Sequence, residues 1–204
     1  MITLAFDTCL DKTYITLTKD DKIIKSETIL SNTENYHSAY LISTIVKVLK
    51  ESDLTPSDID LIATDIGPGS FTGIRACTTV ARVLAQQLNI KTCGISSLEI
   101  LSKILGDNDL VVTDARKNKA YVFDKEVKGA IELEEVDTIV KNRRVITDNS
   151  LLERLSINSE TAISYEKGNY PLGDILSELA SEKESMEWQK LKPLYIQPPP
   201  VFGK

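Results

Sequence analysis

The chain of 204 residues is 42% hydrophobic and 26% charged, which is typical of a globular protein with one large domain or two small lobes. Its formal net charge of −6 argues against a nucleic-acid grip along the whole chain, because phosphate binding needs clustered Lys and Arg. We therefore expect any RNA contact to be local or to be made by a partner.

The start of the chain predicts three antiparallel strands. Residues 2–7 form a hydrophobic run, and residues 13–18 and 22–27 alternate at period two around a polar turn. Asp7 and Thr8 stand at the end of the first strand, where a carboxylate and a hydroxyl would either face a cleft or simply begin a turn. Both interpretations stay open at this point.

A helix is predicted over residues 35–51, after several possible N-cap residues. Its apolar residues cover close to half of the helical circumference, which is wider than one contact with a core requires. Leu41 and Val48 belong to this arc, and His37, Tyr40 and Thr44 border it.

A glycine-rich turn at residues 67–73 joins a predicted strand at 60–65 to the next predicted helix. Glycines permit positive φ and close backbone approach, and Ser70 is a suitable N-cap. The start of such a helix can hold an anion, but neither a P-loop nor a dinucleotide fingerprint matches the spacing. The alternative is a tight connection, in which the structural residues are Gly67, Gly69 and Gly73.

The helix predicted from Phe71 to Leu88 has an outer face that is poor in charge. A solvated helix face is normally rich in Lys and Glu, so this face indicates close contact with another helix. We interpret it as a partner interface, and burial within the same chain is the alternative. The face carries Thr72, Ala76, Thr79 and Val83, with Arg75 and Arg82 alongside.

The pattern then continues with a strand at 91–95 and a helix that opens at 96–99 and ends at Gly106. Alternation of strands and helices after a hairpin start predicts a mixed sheet with helices on its faces. We expect a first lobe over residues 1–106 and a smaller second lobe over residues 107–204.

The second lobe is predicted to repeat the start of the chain in shortened form. Residues 110–114 form a buried strand that ends in Asp114, and residues 119–123 pair back against it. Asp114, Arg116 and Lys117 form a candidate polar site, for which a solvated hairpin tip is the alternative. The remaining predicted elements are a helix over 136–142, a strand over 145–148, a short helix from Ser150, an amphipathic helix over 172–180 and an extended end at 191–200, stiffened by proline.

The cysteines and the single histidine limit the chemistry of the chain. Cys9, Cys77 and Cys93 are far apart and form no C-x-x-C, so we interpret them as small buried hydrophobes of a reducing compartment. His37 alone provides no two-histidine zinc site, and we predict no bound metal. The start of the chain lacks the features of a signal peptide, and no run of eighteen apolar residues occurs. These features predict a cytoplasmic protein with no membrane partner.

Five motifs in order make the chain resemble the bacterial TsaB (YeaZ) family of tRNA threonylcarbamoyladenosine synthesis. The glycine turn with its Phe-Thr-Gly-Ile-Arg continuation is the most specific of them. The segment Pro193-Leu194-Tyr195-Ile196 is also similar to the closing segment of the family. The five motifs are Asp7-Thr8, Tyr36-His37-Ser38, Gly67-Pro68-Gly69-Ser70-Phe71-Thr72-Gly73-Ile74-Arg75, Gly94-Ile95-Ser96-Ser97-Leu98-Glu99 and Asp114-Ala115-Arg116-Lys117.

The resemblance implies an α/β actin-like (RNase H-like) fold of two related lobes, each with a mixed sheet flanked by helices. It also implies a non-catalytic subunit that pairs with and activates a TsaD-like enzyme, is joined by a TsaE-like ATPase, and meets tRNA indirectly. Alone, such a chain is expected to form a homodimer. The implied partner interface comprises His37, Tyr40, Leu41, Thr44, Val48, Thr72, Arg75, Ala76, Thr79, Arg82 and Val83.

The chain departs from actin-like ATPases at their phosphate-binding motifs. These motifs would place a glycine soon after Asp7 and Asp114, and the sequence has none there. Without the backbone cradle, we expect no ATP hydrolysis and no cofactor bound by this chain alone. The resemblance allows ADP or ATP to bind at the interface with TsaD. Asp7, Thr8 and Asp114 are then the candidates to face the nucleotide. The alternative function is a small actin-fold kinase or ATPase that uses Asp7 as a base or to hold magnesium-bound water.

Overall fold

The computed structural model describes residues 1–30, 37–104 and 110–197, without the side chains of residues 37 and 38. The chain divides into two compact units. Unit 1 comprises Met1–Ser97 and Pro171–Leu194, and unit 2 comprises Leu98–Tyr170 with the segment that begins at Tyr195. No helix in the described ranges is both long enough and apolar enough to cross a membrane.

Unit 1 is built on a five-stranded mixed sheet with the strand order β3-β2-β1-β4-β5. β1 pairs antiparallel with β2, which pairs antiparallel with β3, whereas β1, β4 and β5 run parallel. This arrangement confirms the predicted antiparallel start. The strands are β1 (Ile2–Asp7), β2 (Thr13–Lys19), β3 (Lys22–Ile29), β4 (Leu61–Asp65) and β5 (Lys91–Ile95).

Helices cover both faces of this sheet. The helices of unit 1 are α1 (Leu41–Glu51), α2 (Phe71–Leu88) and α6 (Leu172–Glu182), and α3 (Ser97–Ser102) follows β5. Ile15 and Leu17 of β2 share one hydrophobic core with buried residues of α1 and α2. Thr16 points to the opposite face, because side chains alternate along a strand. Its hydroxyl donates to Asp174 Oδ1 of α6 at 2.8 Å, so α6 covers the other face of the sheet.

Unit 2 repeats this plan. Its sheet has the order β8-β7-β6-β9-β10, with two antiparallel pairs followed by two parallel pairs, as in unit 1. The predicted repeat is therefore confirmed, and the fold is actin-like (RNase H-like). The elements are β6 (Leu110–Arg116), β7 (Lys119–Asp124), β8 (Glu126–Glu132), α4 (Leu133–Ile139), β9 (Arg144–Thr147), α5 (Leu152–Asn158) and β10 (Thr161–Ser164).

Three short 3₁₀ helices complete the described elements, at His37–Tyr40, Pro56–Asp58 and Trp188–Lys190. The helix predicted over 35–51 therefore begins as a 3₁₀ turn and becomes α-helical at Leu41, and the predicted start at residue 35 lies outside the described residues. The helix predicted to end at Gly106 ends earlier, at Ser102, and Gly106 itself lies outside the described residues. The 3₁₀ turn at Pro56–Asp58 begins with a capping box between Thr55 and Asp58.

The observed division of the chain differs from the predicted boundary at residue 106. The segment Pro171–Leu194 belongs to unit 1, although we expected it in the second lobe. The physical reason is the apolar face of α6, where Leu172, Leu176 and Leu179 are buried and the helix packs on the strands of the first sheet. Strands β8 and β10 were not predicted.

Candidate functional site

The glycine turn packs directly on the backbone that follows β1. A Cβ atom at Gly69 would lie 2.5 Å from Cys9 O, and one at Gly73 would lie 2.7 Å from the carbonyl carbon of Thr8. Such contacts are possible only without a side chain. Ser70 N donates to Cys9 O at 2.8 Å, and this hydrogen bond fixes the start of α2 against the end of β1.

The N–H groups of the turn have partners within the chain. Gly67, which has a φ of +98°, donates its N–H to Asp65 Oδ1 at 2.6 Å. Gly73 N donates to Ser70 Oγ at 3.2 Å, which confirms Ser70 as the N-cap of α2. These N–H groups therefore serve the connection between β4 and α2 and are not directed at a free space for an anion.

A buried cluster lies where β1, β4 and α2 meet. We call it the β1-end cluster, and Asp7 and Thr8 belong to it with 1% and 0% exposure. Of the two interpretations that the sequence left open for these side chains, their burial favours the turn over the cleft. The members of the β1-end cluster are Asp7, Thr8, Cys9, Asp65, Cys77 and Ser97.

Two carboxyl groups dominate the electrostatics of the β1-end cluster. Ser97 Oγ lies 2.7 Å from each carboxyl oxygen of Asp65. Burial raises the pKa of Asp65 to about 6, although the N–H of Gly67 and the hydroxyl of Ser97 act to lower it. Burial, and then the nearby charge of Asp65, raise the pKa of Asp7 well above its ordinary value of 3.8. No ion pair to Lys or Arg involves either carboxylate within the described ranges.

The two thiols of the β1-end cluster have different surroundings. Burial raises the pKa of Cys9 well above its ordinary value. Burial also acts on Cys77, but hydrogen bonds with Cys9 and Thr8 outweigh it and lower the pKa of Cys77. Thr8 N donates to Cys77 Sγ at 3.0 Å, and Thr8 Oγ1 lies 3.1 Å from the same sulfur.

Helix α1 turns only half of its wide apolar arc toward the core. Leu41 and Val48 are 1% and 0% exposed, so their predicted place in a partner interface is wrong. They pack in the core of unit 1, whereas Ile42 and Val46 are 63% and 58% exposed. The sequence contained this signal, because the apolar arc was too wide for one contact, but periodicity alone did not show which half faces outward.

The outer face of α2 lies at the surface, where the sequence placed it. Thr72, Arg75, Thr79 and Val83 are exposed, with Val83 at 51%. Ala76 and Arg82 of the same face are half-buried, as are Tyr40, which precedes α1, and Thr44 within α1. Arg75 stacks over the Phe71 ring at 4.4 Å and Arg82 lies 5.8 Å from the centre of the Trp188 ring. His37 opens the 3₁₀ turn before α1, and its side chain lies outside the described residues.

The exposed residues of α1 and α2 are candidates for a docking surface on the face of the first sheet that these two helices cover. Helix α2 contains no Lys, Asp or Glu in its whole length. An exposed helix face without these residues, next to exposed aliphatic side chains, is typical of a surface that another protein covers. We call it the α1–α2 surface, which consists of Ile42, Val46, Thr72, Thr79 and Val83.

Asp114 occupies a turn in unit 2. It is half-buried at the end of β6, and its Oδ1 accepts the N–H of Arg116 at 2.7 Å. Its own N–H donates to Asp148 Oδ2 at 2.6 Å. Arg116 and Lys117 have positive φ values at the hairpin tip, and the Arg116 side chain is 88% exposed. This geometry corresponds to the solvated hairpin tip that the sequence left as an alternative.

The fold places the chain in a known structural class. Two crystal structures of YeaZ-type proteins from Pseudomonas aeruginosa superpose on it with TM-scores of 0.77 and 0.76. Each is 21% identical, and the first covers 96% of this chain and 99% of the other chain. At this identity the match shows the fold, which has the two related lobes described above.

Sequence comparisons identify the family within that class. The model of the family described as "TsaD: tRNA N6-adenosine threonylcarbamoyltransferase" matches residues 24–172, which is more than half of the chain. The chain therefore belongs to this family, and it is similar to proteins named TsaB and YeaZ.

Curated relatives match over part of their length. The "tRNA threonylcarbamoyladenosine biosynthesis protein TsaB" of Bacillus subtilis is 33% identical over 124 residues, which are 59% of this chain and 53% of the relative. The protein of the same name from Buchnera aphidicola subsp. Schizaphis graminum is 36% identical over 102 residues, with shares of 50% and 47%. The chain thus spans about half the length of the curated relatives that it matches.

Proposed function

We propose that this chain is a non-catalytic subunit in the biosynthesis of threonylcarbamoyladenosine in tRNA, and that it pairs with and activates a TsaD-like enzyme. Family membership and the names of the curated relatives support the pathway. The observation that carries the role of partner subunit is the α1–α2 surface, which exposes aliphatic and threonine side chains and includes no Lys, Asp or Glu from α2.

The β1-end cluster supports a role without catalysis by this chain. In actin-fold phosphotransferases, an aspartate at this strand end must reach a nucleotide or its metal, and Asp7 is enclosed with 1% exposure. The N–H groups of Gly67, Ser70 and Gly73 donate to acceptors inside the chain, so they do not cradle a phosphate. On this proposal, ADP or ATP binds at the surface that the chain shares with TsaD.

The charge of the chain supports an indirect contact with tRNA. Because the net charge of the chain is −6, we expect the partner enzyme to bind the backbone phosphates of tRNA. A TsaE-like ATPase joins the pair in this proposal. Alone, the chain uses the α1–α2 surface to form a homodimer, because a surface that binds a homologous lobe is suited to a second copy of itself.

Reconstitution tests this function. The chain is combined with TsaD, TsaE, unmodified tRNA, threonine, bicarbonate, ATP and the enzyme that makes threonylcarbamoyl-adenylate, and mass spectrometry measures the modified adenosine. We expect modification only when the chain is present. Modification at the same rate without the chain would contradict the proposal, and ATP turnover by the isolated chain would favour a kinase or ATPase.

A charge placed on the α1–α2 surface tests the role of that surface. Thr79→Glu should lower affinity for TsaD at least about tenfold, which corresponds to roughly 1.4 kcal/mol, because the new carboxylate loses its water in the interface. Ser181→Glu is the matched control, since Ser181 is exposed next to the end of α6 on the opposite side of the sheet. Equal affinity of the two variants for TsaD would remove the α1–α2 surface from the proposal.

A further inference from the structure

Three potential metal ligands converge in the β1-end cluster. Asp7 ends β1, Cys9 lies in the segment after it, and Cys77 lies on the buried face of α2. One carboxylate oxygen and the two sulfurs all lie within 4.8 Å of one another. Ligand atoms around a tetrahedral Zn²⁺ are roughly 3.3 to 3.8 Å apart, as metal–ligand lengths of about 2.0 to 2.3 Å require. The separations therefore exceed those of a tetrahedral site by at most roughly 1 to 1.5 Å, and coordination requires the three donors to move closer together by that amount.

The carboxylate of Asp7 has an oxygen without a partner. Asp7 Oδ1 accepts the N–H of Cys9, but Oδ2 is buried and has no hydrogen-bond partner among the described residues. A buried polar atom in this state is costly, and a buried charge more so. Asp65 adds a second buried carboxyl group to the same cluster, and neither is in an ion pair with Lys or Arg in the part of the chain that the structure describes. In the metal-free chain, a proton shared between the carboxyl groups of Asp7 and Asp65 offsets part of this cost, and a bound cation would take the place of that proton.

The contacts of Cys77 resemble those of a metal-bound thiolate. Its sulfur receives the N–H of Thr8 at 3.0 Å, and the hydroxyl of Thr8 lies at 3.1 Å. Hydrogen bonds of this kind orient metal ligands from the second coordination sphere. The Thr8 hydroxyl donates its single proton to Gly73 O at 2.8 Å, so only the N–H of Thr8 is donated to the sulfur, and the close contact between the turn and β1 holds Thr8 in place beside it.

We propose that Asp7, Cys9 and Cys77 bind one thiophilic divalent cation of the Zn²⁺ type. Two thiolates select against Mg²⁺ and Ca²⁺, which take oxygen ligands, and a buried site without bound substrate is structural. The carbonyl oxygen of Asp65, 3.6 Å from Cys9 Sγ, is a further donor beside the three side chains. On binding, the two thiols release their protons to solvent, as does the Asp7 carboxyl group where it is protonated, and three anionic ligands then share the charge of the cation.

This site goes beyond the proposed function, and it replaces the expectation from sequence that the chain binds no metal. It needs neither TsaD nor tRNA. The cation would tie the end of β1 to α2 and so stabilise the helix that carries half of the α1–α2 surface.

Co²⁺ is the spectroscopic probe for this site. The full chain is reduced, freed of metal and titrated with Co²⁺, both in the native state and during refolding from urea, because buried donors exchange only after local opening. We expect one Co²⁺ per chain, with thiolate-to-metal charge transfer in the near ultraviolet, and displacement of Co²⁺ by Zn²⁺. Zn²⁺ should also raise the Tm of the metal-free chain.

Single variants assign the ligands. Cys9→Ala and Cys77→Ala should each lose charge-transfer intensity, and Asp7→Asn should weaken Co²⁺ binding with little change in shape. Cys93→Ala is the matched control, because Cys93 is equally buried but lies in β5 and outside the β1-end cluster. It should bind Co²⁺ as the original chain does.

Two results would overturn the proposal. One is the absence of a charge-transfer band in the original chain under both titration conditions. The other is a band that persists undiminished in Cys9→Ala or Cys77→Ala. If a cysteine variant fails to fold, the Tm shift caused by Zn²⁺ is compared between the original chain and Asp7→Asn. We expect a smaller shift in Asp7→Asn. Equal shifts in the two proteins would count against the site.

Discussion

The carbonyl group of Thr8 occupies the space in which a side chain at Gly73 would begin. A Cβ atom there would overlap the Thr8 oxygen and lie 2.7 Å from the carbonyl carbon. In the other direction, the Thr8 hydroxyl donates to Gly73 O at 2.8 Å. The end of β1 and the first turn of α2 are thus in direct backbone contact, and both belong to the rigid middle of unit 1.

Gly73→Ala should strongly destabilise the chain. The added methyl group has to displace backbone, which costs about 3 kcal/mol in a packed interior and exceeds the gain of roughly 1 kcal/mol in helix propensity. Urea denaturation measures the free energy of unfolding. Thr72→Ala, at the exposed neighbouring position, should change it by less than about 0.5 kcal/mol. A Gly73→Ala chain as stable as Thr72→Ala would contradict the contact.

Two adjacent residues of α1 allow the core and the docking surface to be tested separately, because Leu41 lies in the core and Ile42 lies on the surface. Leu41→Ala removes a side chain that is 1% exposed and should cost about 2–5 kcal/mol in stability. Ile42→Ala alters a side chain that is 63% exposed and should leave stability within about 0.5 kcal/mol. Ile42→Ala should lower the affinity for TsaD and raise the dissociation constant of the homodimer. Calorimetry and sedimentation at several concentrations measure these effects, and unchanged association in Ile42→Ala would exclude α1 from the surface.

The sequence predicted most of the fold because its periodic segments are long and its turns are distinctive. The opening strands, the glycine turn and α2 follow from residue spacing and capping alone. Strand β8 (Glu126–Glu132) was missed because it is partly charged and contains Gly129 at a φ of +107°, so its pairing with β7 defines it. Helix α6 was predicted, but not its unit, since an apolar face does not show which sheet it will cover.

The site was less predictable than the fold, for two physical reasons. The apolar arc of α1 serves two surfaces, since Leu41 and Val48 are buried while Ile42 and Val46 are exposed, and residue spacing does not show which half packs on the sheet. Cys9 and Cys77 are far apart in the chain, so no local spacing signals a shared site. Only the packing of α2 against the end of β1, through Gly69 and Gly73, brings the two thiols together.

The ion pair between Asp124 and Arg143 should make a pH-dependent contribution to stability. The Nη1 and Nη2 atoms of Arg143 each donate to a carboxylate oxygen of Asp124 at 2.9 Å. These hydrogen bonds lower the pKa of Asp124 below its ordinary value of 3.8. A lowered pKa in the folded state stabilises the fold above the unfolded-state pKa, and this stability is lost as pH falls through the folded-state pKa. Since both side chains are about one-third exposed, we expect at most about 1 kcal/mol.

A double-mutant cycle isolates this pair. The free energy of unfolding is measured for the original chain, Asp124→Asn, Arg143→Gln and the double variant at neutral and acidic pH. The coupling energy should be present at neutral pH and should vanish once Asp124 is protonated in the folded state. A coupling energy that is constant with pH would show that the contribution comes from packing and not from charge.

Two buried threonines at equivalent strands offer a matched comparison between the units. Thr64 lies in β4, which runs parallel to β1, and Thr147 lies in β9, which runs parallel to β6. Both are 0% exposed. The Thr64 hydroxyl donates to Phe6 O at 3.1 Å, whereas Thr147 Oγ1 has no hydrogen-bond partner within the described residues. The two hydroxyl groups therefore differ in whether their burial is compensated.

Replacement of each threonine by valine should change stability in opposite directions. Valine keeps the shape and the strand preference of threonine, so only the hydroxyl group is lost. Thr147→Val should raise the free energy of unfolding by roughly 1 kcal/mol, because an unpaired buried hydroxyl is removed. Thr64→Val should lower it by about 1 kcal/mol, because a hydrogen bond is lost and Phe6 O loses a donor. Urea denaturation of both variants checks the signs, and a destabilised Thr147→Val chain would mean that its hydroxyl has a partner, such as a buried water molecule.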